Sequence, residues 1–325
     1  MEQKCLFSIV IPVYNGANVV SKSLDSVYSQ RLSNDIFEVI CVDDCSTEVG
    51  CMKVLNSYTF EGNRPENLFI FRNTVNKKSG GARNNGVAHA RGLWIVYLDC
   101  DDTFWDGSLE RLQKVYESHK DLDVIIYNFK SSISDSGLNN LSLEKMSGLN
   151  FIKTQPVPWF ACCYSYRREF LAKNHIQFVE DVFYEDTDYA FRAISKAKFV
   201  KFFNIKVFMY ELSEGQASKV NTPKKIFDMF DLTQRLFNIS TDFRDNNRDV
   251  EQAILGHYNY KYYMNLKRFL WRFSYNIIIS VLSKYPPKIN TKSFFLVKMV
   301  ASFPRLYALL AMLGKPLFYV YLKLK

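Results

Sequence analysis

The sequence predicts an α/β protein: a mostly parallel sheet flanked by helices, followed by a mainly helical C-terminal extension. Three observations carry that expectation. Short β-branched and aromatic runs alternate with amphipathic stretches through residues 1–215; the main apolar runs end in polar or acidic residues; and from residue 216 the pattern turns helical, basic and aromatic. Alternating strands and helices generate a parallel sheet with helices on both faces. Ligands of such sheets bind beyond the carboxyl ends of the strands.

"FSIVIPVYN" reads as the first strand, closed by proline, and "GANVVSKSLDSVYSQ" as a helix with Val20, Leu24 and Val27 on one face. "FEVICVDDCS" and "NLFIFRN" supply the second and third strands. "GGARNNGVAHARG" reads as a glycine-opened helix leading into the fourth strand, "LWIVYLDCDD". The helix "SLERLQKVYESH" and the strand "DVIIYNF" follow, then a Ser- and Asn-rich stretch at 131–150 that reads as an exposed loop. Runs such as "KFVKFFNIKVFMY" within 156–215 finish the first domain as a strand or strand pair. Two domains are expected, 1–215 and 216–325.

A hydrophobic content of 48% with 23% charged residues describes a folded chain. The net charge of +9 is unevenly placed: residues 1–251 hold 30 basic and 33 acidic side chains, whereas residues 252–325 hold 12 Lys or Arg and no Asp or Glu. That asymmetry points to an anionic partner, a membrane surface or nucleic acid. The seven cysteines form no C-x-x-C pair and the four histidines are scattered, which speaks for reduced thiols and against structural zinc. The first apolar run is short and stopped by Pro12, unlike an export signal, and no clean stretch of about 18 apolar residues occurs. The expected location is cytoplasmic, peripheral at the inner face of the plasma membrane.

"IVYLDCDDTFWDG" (95–107) runs a buried-type strand into Asp99, Asp101 and Asp102. Carboxylates this close repel unless a positive charge lies among them. A hard divalent cation, Mn2+ or Mg2+, takes oxygen ligands and is commonly shared with substrate phosphates; a solvated acidic turn explains three acids about equally well. A second cluster, "VEDVFYEDTDYAFRA", offers Glu185 and Asp186, and a carboxylate there can serve as a general base. The same acids also suit a helix N-terminus.

"SIVIPVYN", "EVICVDDCST", "GGARNNGVAHARGLWIVYLDCDD" and "YEDTDYAFR" occur in the order seen in family 2 glycosyltransferases, which the chain resembles over roughly residues 5–215. The resemblance implies a GT-A fold, a Rossmann-like α/β sheet, and inverting transfer of a sugar from a nucleotide-sugar donor to an acceptor hydroxyl. Asp99-Cys100-Asp101 matches the D-x-D metal motif, with Asp99 contacting the nucleotide-sugar and Asp101 or Asp102 touching the metal. Pro12, Tyr14 and Asn15 match the first nucleotide-contacting loop. Asp44 matches the residue that accepts from the base, usually uracil, and Asp43 serves the ribose or orients the turn. Cys45 stands where glycine is common. Arg83 is expected to face the base or the diphosphate, a surface arginine being the plain alternative; Asn76 and Asn84 shape its loop. Asp186 occupies the catalytic-base position, and Glu185 binds acceptor hydroxyls. Trp159 either stacks on an acceptor sugar or is buried.

A Q-x-x-R-W signature is absent, which favours addition of single sugars to a glycan or lipid-linked acceptor, as in capsule or O-antigen assembly. The basic, aromatic tail (252–325) reads as helices lying on an anionic membrane surface. Packing on the catalytic domain or in an oligomer is the alternative. Nucleic acid is disfavoured because no recognisable binding module is present. The rival functional class is a non-catalytic scaffold that binds nucleotide-sugar at the membrane.

Overall fold

Seven consecutive buried residues, Phe7–Val13, form β1 in the interior of the sheet. Their near-continuous apolar character is what a strand covered on both faces requires. The computed structural model describes residues 5–48, 50–131, 138, 140–211, 222–268, 272–289 and 293–313. It comprises two compact units, Met1–Gln216 and Ala217–Lys325.

In the first unit β1 is flanked by β2 (Phe37–Asp43) and β4 (Trp94–Tyr97), both parallel to it, and β3 (Leu68–Arg72) extends the parallel half beyond β2. The helices α1 (Val20–Tyr28), α2 (Cys51–Ser57) and α3 (Lys78–His89) provide the crossovers. The other half is mixed. β7 (Tyr164–Arg167) runs antiparallel to β4 and to β6 (Val124–Ser131); β8 (Val200–Tyr210) is parallel to β6; and the two-residue β5 (Thr103–Phe104) pairs antiparallel with β8. The full order is β3-β2-β1-β4-β7-β6-β8-β5. The sheet is therefore mixed, with its parallel character concentrated around β1.

Between the sheet strands lie α4 (Ser108–Ser118), α5 (Gly148–Thr154), a 3-10 turn at Ala161–Cys163, α6 (Arg168–Lys173) and α7 (Asp186–Lys196). Ser147 caps α5, its hydroxyl accepting from the Asn150 amide. The region expected to be a loop thus contains a helix from residue 148, while 132–137 and 139 fall outside the described residues. α5 lies hard against the end of α7: the Gly148 amide donates to the Ala197 carbonyl at 3.0 Å, and a Cβ at 148 would stand 1.7 Å from the Ile194 carbonyl oxygen.

All the regular elements among the described residues of the second unit are helices: α8 (Pro223–Thr241), α9 (Arg248–Arg268), α10 (Tyr275–Lys284), α11 (Phe295–Ser302) and α12 (Pro304–Leu313). Thr222 caps α8 and Pro223 opens it. α8 and α9 pack through Phe230 against Tyr262, and the buried Asn265 amide donates to Thr233 Oγ1 at 2.9 Å. Tyr258, Tyr262 and Leu266 are core residues. Much of the aromatic sequence assigned to a membrane face is therefore internal packing, because α9 puts these rings against α8. No single described helix is long and apolar enough to cross a membrane.

Candidate active site

Register brings the polar clusters to one rim. Val13 pairs with Asp43 and Val10 with Tyr97, so residues 14–15, 43–44 and 98–102 leave the sheet along the same edge. β7 is antiparallel to β4, which puts its entry turn, Ala161–Cys163, beside the exit of β4. β8 is parallel to β6 and ends on this edge too; the Glu211 amide donates to Asp102 Oδ1 at 3.0 Å.

At the β2 end the acids are met by neutral donors and one arginine. Asp44 is buried, with Oδ1 accepting from Asn73 Nδ2 at 2.8 Å and from the Lys77 amide at 2.9 Å. Asp43 Oδ2 accepts from the Ser46 amide and pairs with Arg72 Nε at 3.2 Å. Asn15, at φ 51°, binds the next loop: its Oδ1 accepts from the amides of Thr47 and Glu48, and its own amide donates to Ser46 Oγ. The left-handed conformation is one Asn tolerates better than most residues. Pro12 is buried inside β1, paired with Val42, whereas Tyr14 is exposed. Of the first loop, Tyr14 is thus the side chain open to a ligand, while Asn15 clips the loops together.

Arg83 lies on the inward face of α3 and is buried. Its guanidinium is shared by three carboxylates: Nη2 meets Asp99 Oδ1 at 2.6 Å, and Nη1 meets Glu185 Oε1 at 2.8 Å and Asp186 Oδ1 at 3.0 Å. Phe178 and Tyr97 lie beside its plane at 5.2 and 5.9 Å. The sequence placed this arginine against the base or diphosphate; in the fold both terminal nitrogens are engaged by protein acids. The three acids hold its pKa well above the usual value despite burial. The adjoining glycine also faces protein: a Cβ on Gly80 would meet the Val179 carbonyl oxygen at 2.7 Å and Glu185 Cγ at 3.0 Å.

Glu185 and Asp186 differ in access. The Glu185 carboxylate is 4% exposed and also accepts from Ser79 Oγ at 2.5 Å; that of Asp186 is 24% exposed and accepts from the Ala161 amide at 3.3 Å. Burial raises both pKa values, with Asp186 adding to the effect on Glu185, which is pushed up to about 7. Asp186 opens α7, where the helix dipole steadies its charge. An accessible carboxylate with a raised pKa has the properties of a general base. Glu185, which the resemblance assigns to acceptor hydroxyls, has Oε1 engaged by Ser79 and Arg83.

Among the described residues, Asp99, Asp102 and Cys162 place one ligand atom each within 4.8 Å of one another. Burial and the nearby Asp99 push Asp102 up to about 9, and burial keeps the Cys162 thiol protonated. The two carboxylates, not the sulfur, therefore fit a hard cation such as Mn2+ or Mg2+. Asp101 is outside this group, so Asp102 is the better placed of the two expected ligands.

Ser79, Asn73, Cys162 and the amides of Lys77 and Ala161 escaped the sequence reading. Ser79 is one helical turn before Arg83, which is a readable signal. The backbone amides leave no trace in side-chain identity. Asn84, expected to shape the loop, does so: its Oδ1 accepts from the Phe178 amide at 2.8 Å and its Nδ2 donates to the Phe178 carbonyl at 3.0 Å. Asn76 Oδ1 accepts from the Lys78 amide at 3.1 Å. Trp159 is half-buried.

The parallel half-sheet with an acidic rim, completed by antiparallel strands, defines a GT-A fold. Residues 8–176, more than half of the chain, match the family "Glycosyl transferase family 2", and the chain belongs to that family. It is 34% identical over 144 residues to the poly(ribitol-phosphate) beta-glucosyltransferase of Bacillus spizizenii, covering 44% of this chain and 19% of that protein. It is 25% identical over 298 residues to the minor teichoic acid biosynthesis protein GgaB of Bacillus subtilis, covering 89% of this chain and 31% of that one. The chain thus spans less than a third of the length of each of these relatives. Among solved structures it resembles Staphylococcus aureus TarS 1–349 in complex with UDP-GlcNAc, with a TM-score of 0.69 and 19% identity over 96% of this chain and 91% of that one. At that identity the likeness is one of fold.

Proposed function

We propose that the chain transfers a hexosyl or N-acetylhexosaminyl group from a nucleotide-diphosphate sugar, a UDP-sugar, to a hydroxyl of a glycan or lipid-linked acceptor, with inversion. The pathway is cell-surface polysaccharide assembly of the teichoic acid, capsule or O-antigen type. One observation carries the reading: Arg83 ties the donor-side Asp99 and the accessible Asp186 into one constellation.

The recess built around Asp43, Asp44 and Tyr14 receives the nucleotide. Asp99 and Asp102 would hold Mn2+ or Mg2+, which when bound neutralises charge on the leaving diphosphate. Asp186 accepts the acceptor hydroxyl's proton as the oxygen bonds to the anomeric carbon and the bond to the diphosphate breaks. Arg83 keeps Asp186 oriented, and the Ala161 amide holds its second oxygen.

UDP-sugars are to be screened with Mn2+ for donor binding and then for turnover on polyol-phosphate and lipid-linked acceptors. Asp186→Asn is expected to bind donor as the wild type does and to lose turnover. A wild type that binds donor but transfers to no acceptor in such a panel would favour the non-catalytic scaffold.

A further inference from the structure

Residues 295–313 form two short helices, α11 and α12, bent by 114° at their junction. One face packs inward through Val297, Val300, Tyr307 and Ala308, and the Tyr307 hydroxyl donates to the Leu266 carbonyl at 3.0 Å. The opposite side is also apolar. Phe295, Phe303, Leu306, Leu309 and Leu310 are between 47% and 83% exposed. Leu306, Leu309 and Leu310 stand at i, i+3 and i+4, a continuous stripe along α12 that Phe303 prolongs by one turn. An apolar surface of this kind on a folded protein marks a site of association.

We infer that this outward face of α11 and α12 docks on a bilayer surface rich in anionic phospholipid. Charge selects that occupant. Lys298 lies one turn from Phe295 and Arg305 one turn before Leu309, both exposed, and no Asp or Glu follows Glu251 in the chain. A second copy presenting the same patch would oppose cation to cation, since a two-fold interface must complement itself. Anionic headgroups complement it, and Lys or Arg close to such a surface each add to binding. The helices are about 12 and 15 Å long, against the roughly 30 Å of a hydrocarbon core. They therefore lie in the interface with their apolar side chains directed into it.

The inference rests on this helix pair and not on the transferase reading, and its test needs no turnover. Full-length protein is floated with phosphatidylcholine vesicles containing phosphatidylglycerol and with phosphatidylcholine alone. The wild type is expected to partition onto the anionic vesicles, less onto neutral ones, and less when salt is raised. The variant Leu306→Ser/Leu309→Ser/Leu310→Ser is expected to lose at least about tenfold in partitioning while keeping its helical circular dichroism. Phe295→Ser alone serves if the triple variant unfolds. A wild type that stays off anionic vesicles, or variants that bind as well as it does, overturn the inference. So does a dimer seen by light scattering that the variants dissolve while no vesicle binding occurs, since a second copy then covers the face.

Discussion

Two acidic groups lie on the same rim and are held in opposite ways. At the end of β2, Asp43 and Asp44 are met by two backbone amides, an asparagine and Arg72. At the end of β4 and the start of α7, Asp99, Glu185 and Asp186 divide the single guanidinium of Arg83, and Asp102 receives one amide. The first group is largely satisfied within the protein, with the buried Asp43 Oδ1 as its one open acceptor among the described residues. The second has one guanidinium for three of its acids, and burial first, then repulsion between neighbouring acids, raises the pKa values of Asp102, Glu185 and Asp186. Under the proposed reading the first group would receive the nucleotide and the second would hold a cation, two different electrostatic tasks on one strand edge.

The comparison can be broken most severely at Arg83. Arg83→Ala strands buried carboxylates and should cost about 3–5 kcal/mol, a large part of a domain's stability. A denaturation midpoint near the wild type's would show that the acids do not depend on it. Asp186→Asn comes next: turnover should fall about 100- to 10,000-fold with donor affinity retained by calorimetry. A loss smaller than about threefold would remove the base assignment. On the β2 side, Asp44→Ala leaves the Lys77 amide and Asn73 without their acceptor and should cost about 1–3 kcal/mol, read in urea with nucleotide absent.

Asp102 sharpens the contrast because its sign is reversed. Its pKa rises on folding from 3.8 to about 9, so the folded state binds the proton more tightly and its stability declines as pH rises through that window. Asp102→Asn should therefore stabilise the metal-free protein at pH 8 by about 1 kcal/mol or more and abolish the melting-temperature gain from Mn2+ plus UDP-sugar. An undiminished Mn2+ effect would exclude Asp102 as a ligand. The smallest effect is on the rate profile. Turnover needs Asp186 deprotonated, so it should rise with pH along a limb centred above the ordinary carboxylate value near ~4. A limb centred there instead would mean that the site leaves its base unperturbed.

The parallel half of the sheet was legible because "FSIVIPV", "FEVICVD" and "WIVY" are short apolar runs that lead into polar or acidic residues. β7 was not, since "YSYR" is four residues of mixed polarity defined by its place between two strands. β5 is shorter still and exists only through its pairing with β8. Within the site, the acids and Arg83 stand out as residue types, but the partner of Arg83 is a tertiary fact. Nothing local in "GGARNNG" says that its arginine reaches residues 99, 185 and 186 at once. The tyrosines of α9 read two ways for a related reason: they suit a bilayer interface and a helix–helix core alike, and packing against α8 puts Tyr258 and Tyr262 in the core.

Gly148 gives Asp186, the proposed base, a vulnerability far along the chain from it. Because α5 presses on the last turn of α7 with no room for a methyl group, any larger residue at 148 would act as a wedge beneath the helix whose first residue is Asp186. A clash at Ile194, about two turns down that helix, would thus be transmitted as a tilt, and misaim a carboxylate it never touches.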